Sequence, residues 1–139
     1  MGNPHDKAEP DCVFRGRYGE VRFARLPDGT CPSKDFFENL PESSRAKAEA
    51  KFMSLFKYIT SDPSLQLRNR TQFKVVEGDL FEFKRNDLQM RLFAFRDSKI
   101  WYLLCGLTGK KENELPPGEV RRALDLLKKA KEHLRSLHP

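Results

Sequence analysis

The residues with the most chemical potential in this chain are cations carried on strand-like segments. Lys84 closes the run Leu80-Phe81-Glu82-Phe83-Lys84 and Arg85 begins the connection after it. Arg91 opens Met90-Arg91-Leu92-Phe93-Ala94-Phe95, and Lys110 and Lys111 follow Leu107-Thr108-Gly109. Side chains alternate faces along a strand, so Glu82 and Lys84 share one face while Phe81 and Phe83 turn to the core. Arg91 shares a face with Phe93 and Phe95, which places it at the strand entrance, beside the hairpin. A loop after Gly109 can bring its two lysines over the same face, and Lys84, Arg85, Arg91, Lys110 and Lys111 are expected to form a concave basic patch. Such a patch suits cleavage of RNA by its own 2′-hydroxyl: cations placed where the dianionic pentavalent transition state gathers charge stabilise it more than the ground state, with no metal required. A lysine crowded by other cations can also have a lowered pKa and act as a base. Phosphate binding without chemistry uses the same residues. A bland role competes at each: Arg91 pairing with Glu82 across the hairpin, Lys84 and Arg85 as solvated hairpin residues, Lys110-Lys111 as a solubilising loop.

The distribution of charge also points to a polyanion. The net charge is +6, and residues 68–111 carry ten Lys/Arg against five Asp/Glu, whereas residues 1–67 carry ten against ten and residues 112–139 six against five. A localised positive field concentrates RNA or DNA and steers its approach; Lys74 lies in the same stretch and is counted with Arg85 and Lys110 as an RNA-binding residue. Other chemistries lack their residues. The sequence has no GxxxxGK[ST], GxSxG or HExxH motif, and His5, His133 and His138 lie near the two chain ends, His133 reading best as a helix-end packing residue. Cys12, Cys31 and Cys105 contain no CxxC pair and leave an odd count, so reduced structural thiols are expected rather than a disulfide framework or a zinc site. Neither a metal nor a cofactor is expected. With no apolar run near the ~18 residues of a membrane span and no apolar segment near Met1, the expectation is a cytoplasmic protein without membrane contact.

The elements that must position these cations read as follows. Residues 1–17 are expected to be a disordered arm and residues 18–139 a single domain. Glu20 to Leu26 alternates polar and apolar residues as a half-buried strand does, ended by Pro27-Asp28-Gly29. Ser33 is placed as N-cap of a short helix carrying Phe36, Phe37 and Leu40, and Pro41 suits the first turn of a second. Across residues 41–60, Ala46, Ala50, Phe52, Met53, Phe56 and Ile59 recur at helical spacing, stopped by Ser61-Asp62-Pro63. Three strands follow, the third from Ile100 to Leu107, joined by short polar connections that require antiparallel hairpins. After Pro116-Pro117-Gly118 a last helix shows Val120, Ala123, Leu124, Leu127, Ala130, Leu134 and Leu137 on one stripe. The fold class is α+β in the order β-α-α-β-β-β-α: a mainly antiparallel sheet packed against a helical hairpin and a C-terminal helix. No helix-turn-helix is evident, which disfavours a sequence-specific DNA binder.

The order of motifs, Gly78-Asp79-Leu80-Phe81-Glu82-Phe83-Lys84, then Met90-Arg91-Leu92-Phe93-Ala94-Phe95, then Leu107-Thr108-Gly109-Lys110-Lys111, then Pro116-Pro117-Gly118-Glu119-Val120, resembles the RelE/HigB-like type II toxin superfamily. It is most similar to the phage-derived HigB-like branch, with its G-x-L-[WF]-E-[LF]-[RK], Y-R-x-x-[YF] and F-x-K-K…P-x-x-E-[IV] pattern. The resemblance covers about residues 18–137 and is strongest over 77–123. It implies a RelE-like fold and a metal-independent endoribonuclease (mRNA interferase) that cuts mRNA, usually on the translating ribosome, and is held inactive by a cognate antitoxin, commonly a helix-turn-helix protein. On the matching positions it implies catalytic roles for Lys84, Arg91 and Lys111. Met90 stands where the pattern has Tyr, and no Tyr follows Lys111, so the general base is unassigned. The alternative reading is a non-catalytic RNA- or protein-binding module on the same fold.

Overall fold

The computed structural model describes residues 11–61, 73–109 and 117–137. Six strands, β1 (Cys12–Arg15), β2 (Glu20–Phe23), β3 (Phe73–Glu77), β4 (Leu80–Arg85), β5 (Met90–Asp97) and β6 (Ile100–Thr108), form one sheet in the order β1-β2-β6-β5-β4-β3. Every neighbouring pair is antiparallel except β2 and β6, which run parallel. Helices α1 (Pro32–Glu38) and α2 (Glu42–Ser61) lie between β2 and β3 in the chain, and α3 (Pro117–Leu137) comes last. The fold class is thus α+β. No helix among the described residues is long and apolar enough to cross a membrane.

Both faces of the sheet are covered. Phe37 of α1 and Ala48, Phe52, Leu55, Phe56 and Ile59 of α2 pack against Val21, Phe73, Phe83, Leu92, Trp101 and Leu103. Trp101 anchors this layer, its ring meeting Phe81, Phe73 and Phe83 edge-on at centroid distances of 5.0, 5.2 and 5.6 Å, separations at which edge-to-face pairs are favourable. On the other face Ala123, Leu126 and Ala130 of α3 cover Leu80, Phe93, Phe95, Tyr102 and Leu104. Strand β6, near-continuously apolar, is central and buried on both sides, as its composition requires.

Four expectations change. Residues 12–15, read as part of a disordered arm, form β1. Asp11 pins this strand: its carboxylate accepts hydrogen bonds from Arg25 at 2.9 and 2.7 Å and its carbonyl accepts one from Phe23 at 2.8 Å. Strand β3 has no counterpart among the expected elements, although Glu77-Gly78-Asp79-Leu80 is a two-residue hairpin with Gly78 at a φ of 55°, a glycine-first turn matched to strand twist. Ser33 is not the N-cap of α1; Cys31 holds that place, and the buried Ser33 hydroxyl donates to the Leu103 carbonyl at 2.8 Å. In α2 the buried stripe runs Ala48, Phe52, Leu55, Phe56 and Ile59 while Ala46 and Ala50 face solvent, because a methyl group loses little by exposure and the large side chains choose the face.

Helix α1 closes on β6 at Gly106, where a Cβ would stand 2.6 Å from a ring carbon of Phe36. Gly106→Ala should therefore lower unfolding free energy by about 1–3 kcal/mol through overpacking. The same substitution should cost far less in a Phe36→Ala background, as urea denaturation of the four proteins of the cycle would show.

Candidate functional site

Strand register, not sequence distance, assembles the cations. Across β3, β4 and β5, Lys74 stands opposite Glu82 and Glu82 opposite Phe93; one row nearer the end of the sheet, Lys84 stands opposite Arg91 and Arg91 opposite Leu107. All of these side chains lie on the face that α3 covers. Among the described residues, three cations, Lys74, Lys84 and Arg91, thus share this face with the carboxylate of Glu82. Arg91 Nη1 donates to Glu82 Oε2 at 3.0 Å, and Lys74 Nζ lies 3.8 Å from Glu82 Oε1.

The burial of this cluster is the main departure from the expected solvent-facing patch. Glu82 has no exposed surface, Arg91 retains 3% and Lys84 8%, whereas the Lys74 side chain is 47% exposed. Alternation along β4 does put Glu82 and Lys84 on one face and Phe81 and Phe83 on the other, but both faces are interior. Arg91 does occupy the strand entrance, as the second residue of β5, and it takes the structural pairing with Glu82.

Arg85 does not join this group. It follows Lys84 and so points to the helical-hairpin face, where its Nη2 donates to Asp87 Oδ2 at 3.2 Å and Lys51 Nζ of α2 reaches the same oxygen at 3.1 Å. Burial pushes the Asp87 carboxyl upward, but the hydrogen bonds from Arg85 and Lys51 outweigh it and hold the group below the ordinary aspartate range. Lys110 and Lys111 lie outside the described residues. The expected patch therefore divides: Lys74, Lys84 and Arg91 come together, and Arg85 lies across the sheet from them. The thiols offer no competing nucleophile near neutral pH. Burial raises Cys12 and Cys31 and pushes Cys105 up to about 11, so the reactive thiolate is scarce.

Glu82 is the residue that sequence reasoning undervalued, having read it only as a possible partner for Arg91. Its signal was present: a lone carboxylate alternating with Lys84 on a strand whose other residues are Leu80, Phe81, Phe83 and Arg85. Glu82 Oε1 is buried and accepts no hydrogen bond among the described residues. Removing one partner of a buried ion pair strands the other, so Arg91→Ala should destabilise the fold by about 3–5 kcal/mol. Arg91→Lys, which keeps the charge, should cost much less, and paired replacement by Glu82→Gln with Arg91→Met should recover most of the loss in urea melts. Arg91→Ala alone would thus report folding as well as chemistry.

No family model matches the chain, and no curated protein matches it significantly.

Proposed function

We propose that this protein is a toxin-like endoribonuclease of the type II kind, cleaving mRNA through 2′-hydroxyl attack without a metal. The observation that carries the reading is the direct opposition of Lys84 and Arg91 on adjacent strands of one sheet face. Side chains directly opposite each other across a strand pair stand about 5 Å apart at Cβ, so the two cations lie close enough to act together on one phosphate. Two buried cations act on a phosphate with far less screening than two solvated ones. The same pair can therefore orient the scissile phosphate and neutralise the charge that builds on its non-bridging oxygens in the pentavalent transition state.

The reaction balances with no added reagent. The 2′-oxygen bonds to phosphorus as its hydrogen leaves, the bond from phosphorus to the 5′-oxygen breaks, and that oxygen takes up a proton. The products are a 2′,3′-cyclic phosphate and a 5′-hydroxyl. Substrate reaches the pair from the β3 side, where Lys74 is nearly half exposed. The resemblance to RelE/HigB-like toxins supports the same chemistry and adds the ribosome as the place of cleavage and a cognate antitoxin as the restraint. By the resemblance, Lys110 and Lys111 would add further phosphate contacts.

Lys84→Met, which removes one of the opposed charges and keeps the length of the side chain, should leave the protein folded and lower single-turnover cleavage of RNA by roughly 10²-fold or more. Wild-type cleavage should persist in EDTA and stop when the nucleotide 5′ to the cut is 2′-deoxy. The salt dependence of RNA binding should flatten by about one unit in the variant, one phosphate contact having been lost. If wild type binds RNA with a steep salt slope but cuts nothing, alone or in a translation extract, the basic surface belongs to a non-catalytic binding module.

A further inference from the structure

We infer that Glu82 is the general base of this site, taking the 2′-hydroxyl proton on its Oε1; the inference rests on the ribonuclease reading above. One carboxylate oxygen, Oε2, is committed to Arg91 Nη1 at 3.0 Å. The other, Oε1, is buried and accepts no hydrogen bond among the described residues. Lys74 Nζ at 3.8 Å is too far for one, although close enough to pair electrostatically. Native proteins leave few buried acceptors without a donor. Lys74 stands on the edge strand with nearly half its side chain in solvent, so its ammonium can swing aside at little cost and open an approach to that oxygen.

A ribose 2′-hydroxyl supplies the missing donor. Seated on Oε1, it lies beside the carboxylate that Arg91 holds, and its neighbouring phosphate falls toward the Lys84 and Arg91 row. The 2′-O–H bond then breaks with its proton passing to Oε1, the 2′-oxygen bonds to phosphorus, and the bond from phosphorus to the 5′-oxygen breaks. The departing 5′-oxygen takes a proton from solvent, and Glu82 returns its own to solvent after the product leaves. The charged groups that face Glu82 are Lys74 from β3 and Arg91 from β5, with Lys84 on the same face of its own strand. From α3 the residues buried in this layer are the apolar Ala123, Leu126 and Ala130.

Glu82→Gln preserves shape and an oxygen for Arg91 while removing the base. Single-turnover cleavage at saturating enzyme should fall by roughly 10²- to 10⁴-fold, with RNA affinity changed no more than a few fold. The acid limb of the wild-type pH–rate profile should vanish from the residual activity. In Glu82→Ala, added formate should restore part of the rate where chloride at equal ionic strength does not. A Gln variant that cleaves at the wild-type rate, or one that loses activity while keeping the wild-type pH profile, overturns the assignment and leaves Glu82 as the residue that positions Arg91. If Lys84→Met abolishes cleavage while Glu82→Gln does not, only the Glu82 inference falls. Wild-type protein that cuts no RNA overturns both.

Discussion

The ion pair between Glu82 and Arg91 is the constraint to which the rest of the sheet answers. Each charge costs several kcal/mol to take out of water, and their attraction offsets this only when the geometry is held closely. The hold comes from register. Glu82 faces Phe93 and Lys84 faces Arg91, so the carboxylate and guanidinium meet on a diagonal across β4 and β5. A one-residue slip would send Arg91 to the opposite face and remove the one side-chain hydrogen bond that the Glu82 carboxylate accepts among the described residues. The 3₁₀ turn at Asn86–Leu88, with Gln89 in the left-handed region at a φ of 52°, sets the length of the connection that prevents that slip.

The pair is buried because the sheet is covered twice. Helix α3 brings Ala123, Leu126 and Ala130 onto Phe93, Phe95 and Leu104, and small residues at that contact let it sit close. The ion pair of Lys131 with Asp79 at 2.7 Å ties the helix to the β3–β4 turn, next to the edge from which the cluster opens. That exposed bridge adds little stability by itself. Its contribution is to fix where the helix lies relative to the basic row.

On the other side of the sheet the aromatic layer around Trp101 does the mechanical work. Phe73, Phe81 and Phe83 project from the two strands that carry Lys74, Glu82 and Lys84 on their reverse face. Interlocked rings leave these strands few alternative packings, so the charged row is carried by strands whose reverse face is closely packed.

Much of this was legible along the chain. Alternation identified β2, runs rich in aromatic and branched residues identified β4, β5 and β6, three-and-four spacing identified α2 and α3, and the short polar connections identified the hairpins, because each of these signals is local. The pairing of Glu82 with Arg91 was one of the readings that alternation allowed. Other features were decided only by tertiary structure. Strand β1 is too short to declare itself and exists because β2 supplies its partners. The parallel pairing of β2 with β6 joins segments eighty residues apart, which no local pattern encodes. That both faces of β4 are interior could not be read, since Glu82 and Lys84 look like solvent residues along the chain. Arg85, adjacent to Lys84 in sequence, goes to the other side of the sheet because the strand period is two. Sequence therefore determined the elements and the chemical types of the basic cluster, while its membership and its burial came from register and from the second helical layer, which are properties of contacts between distant segments.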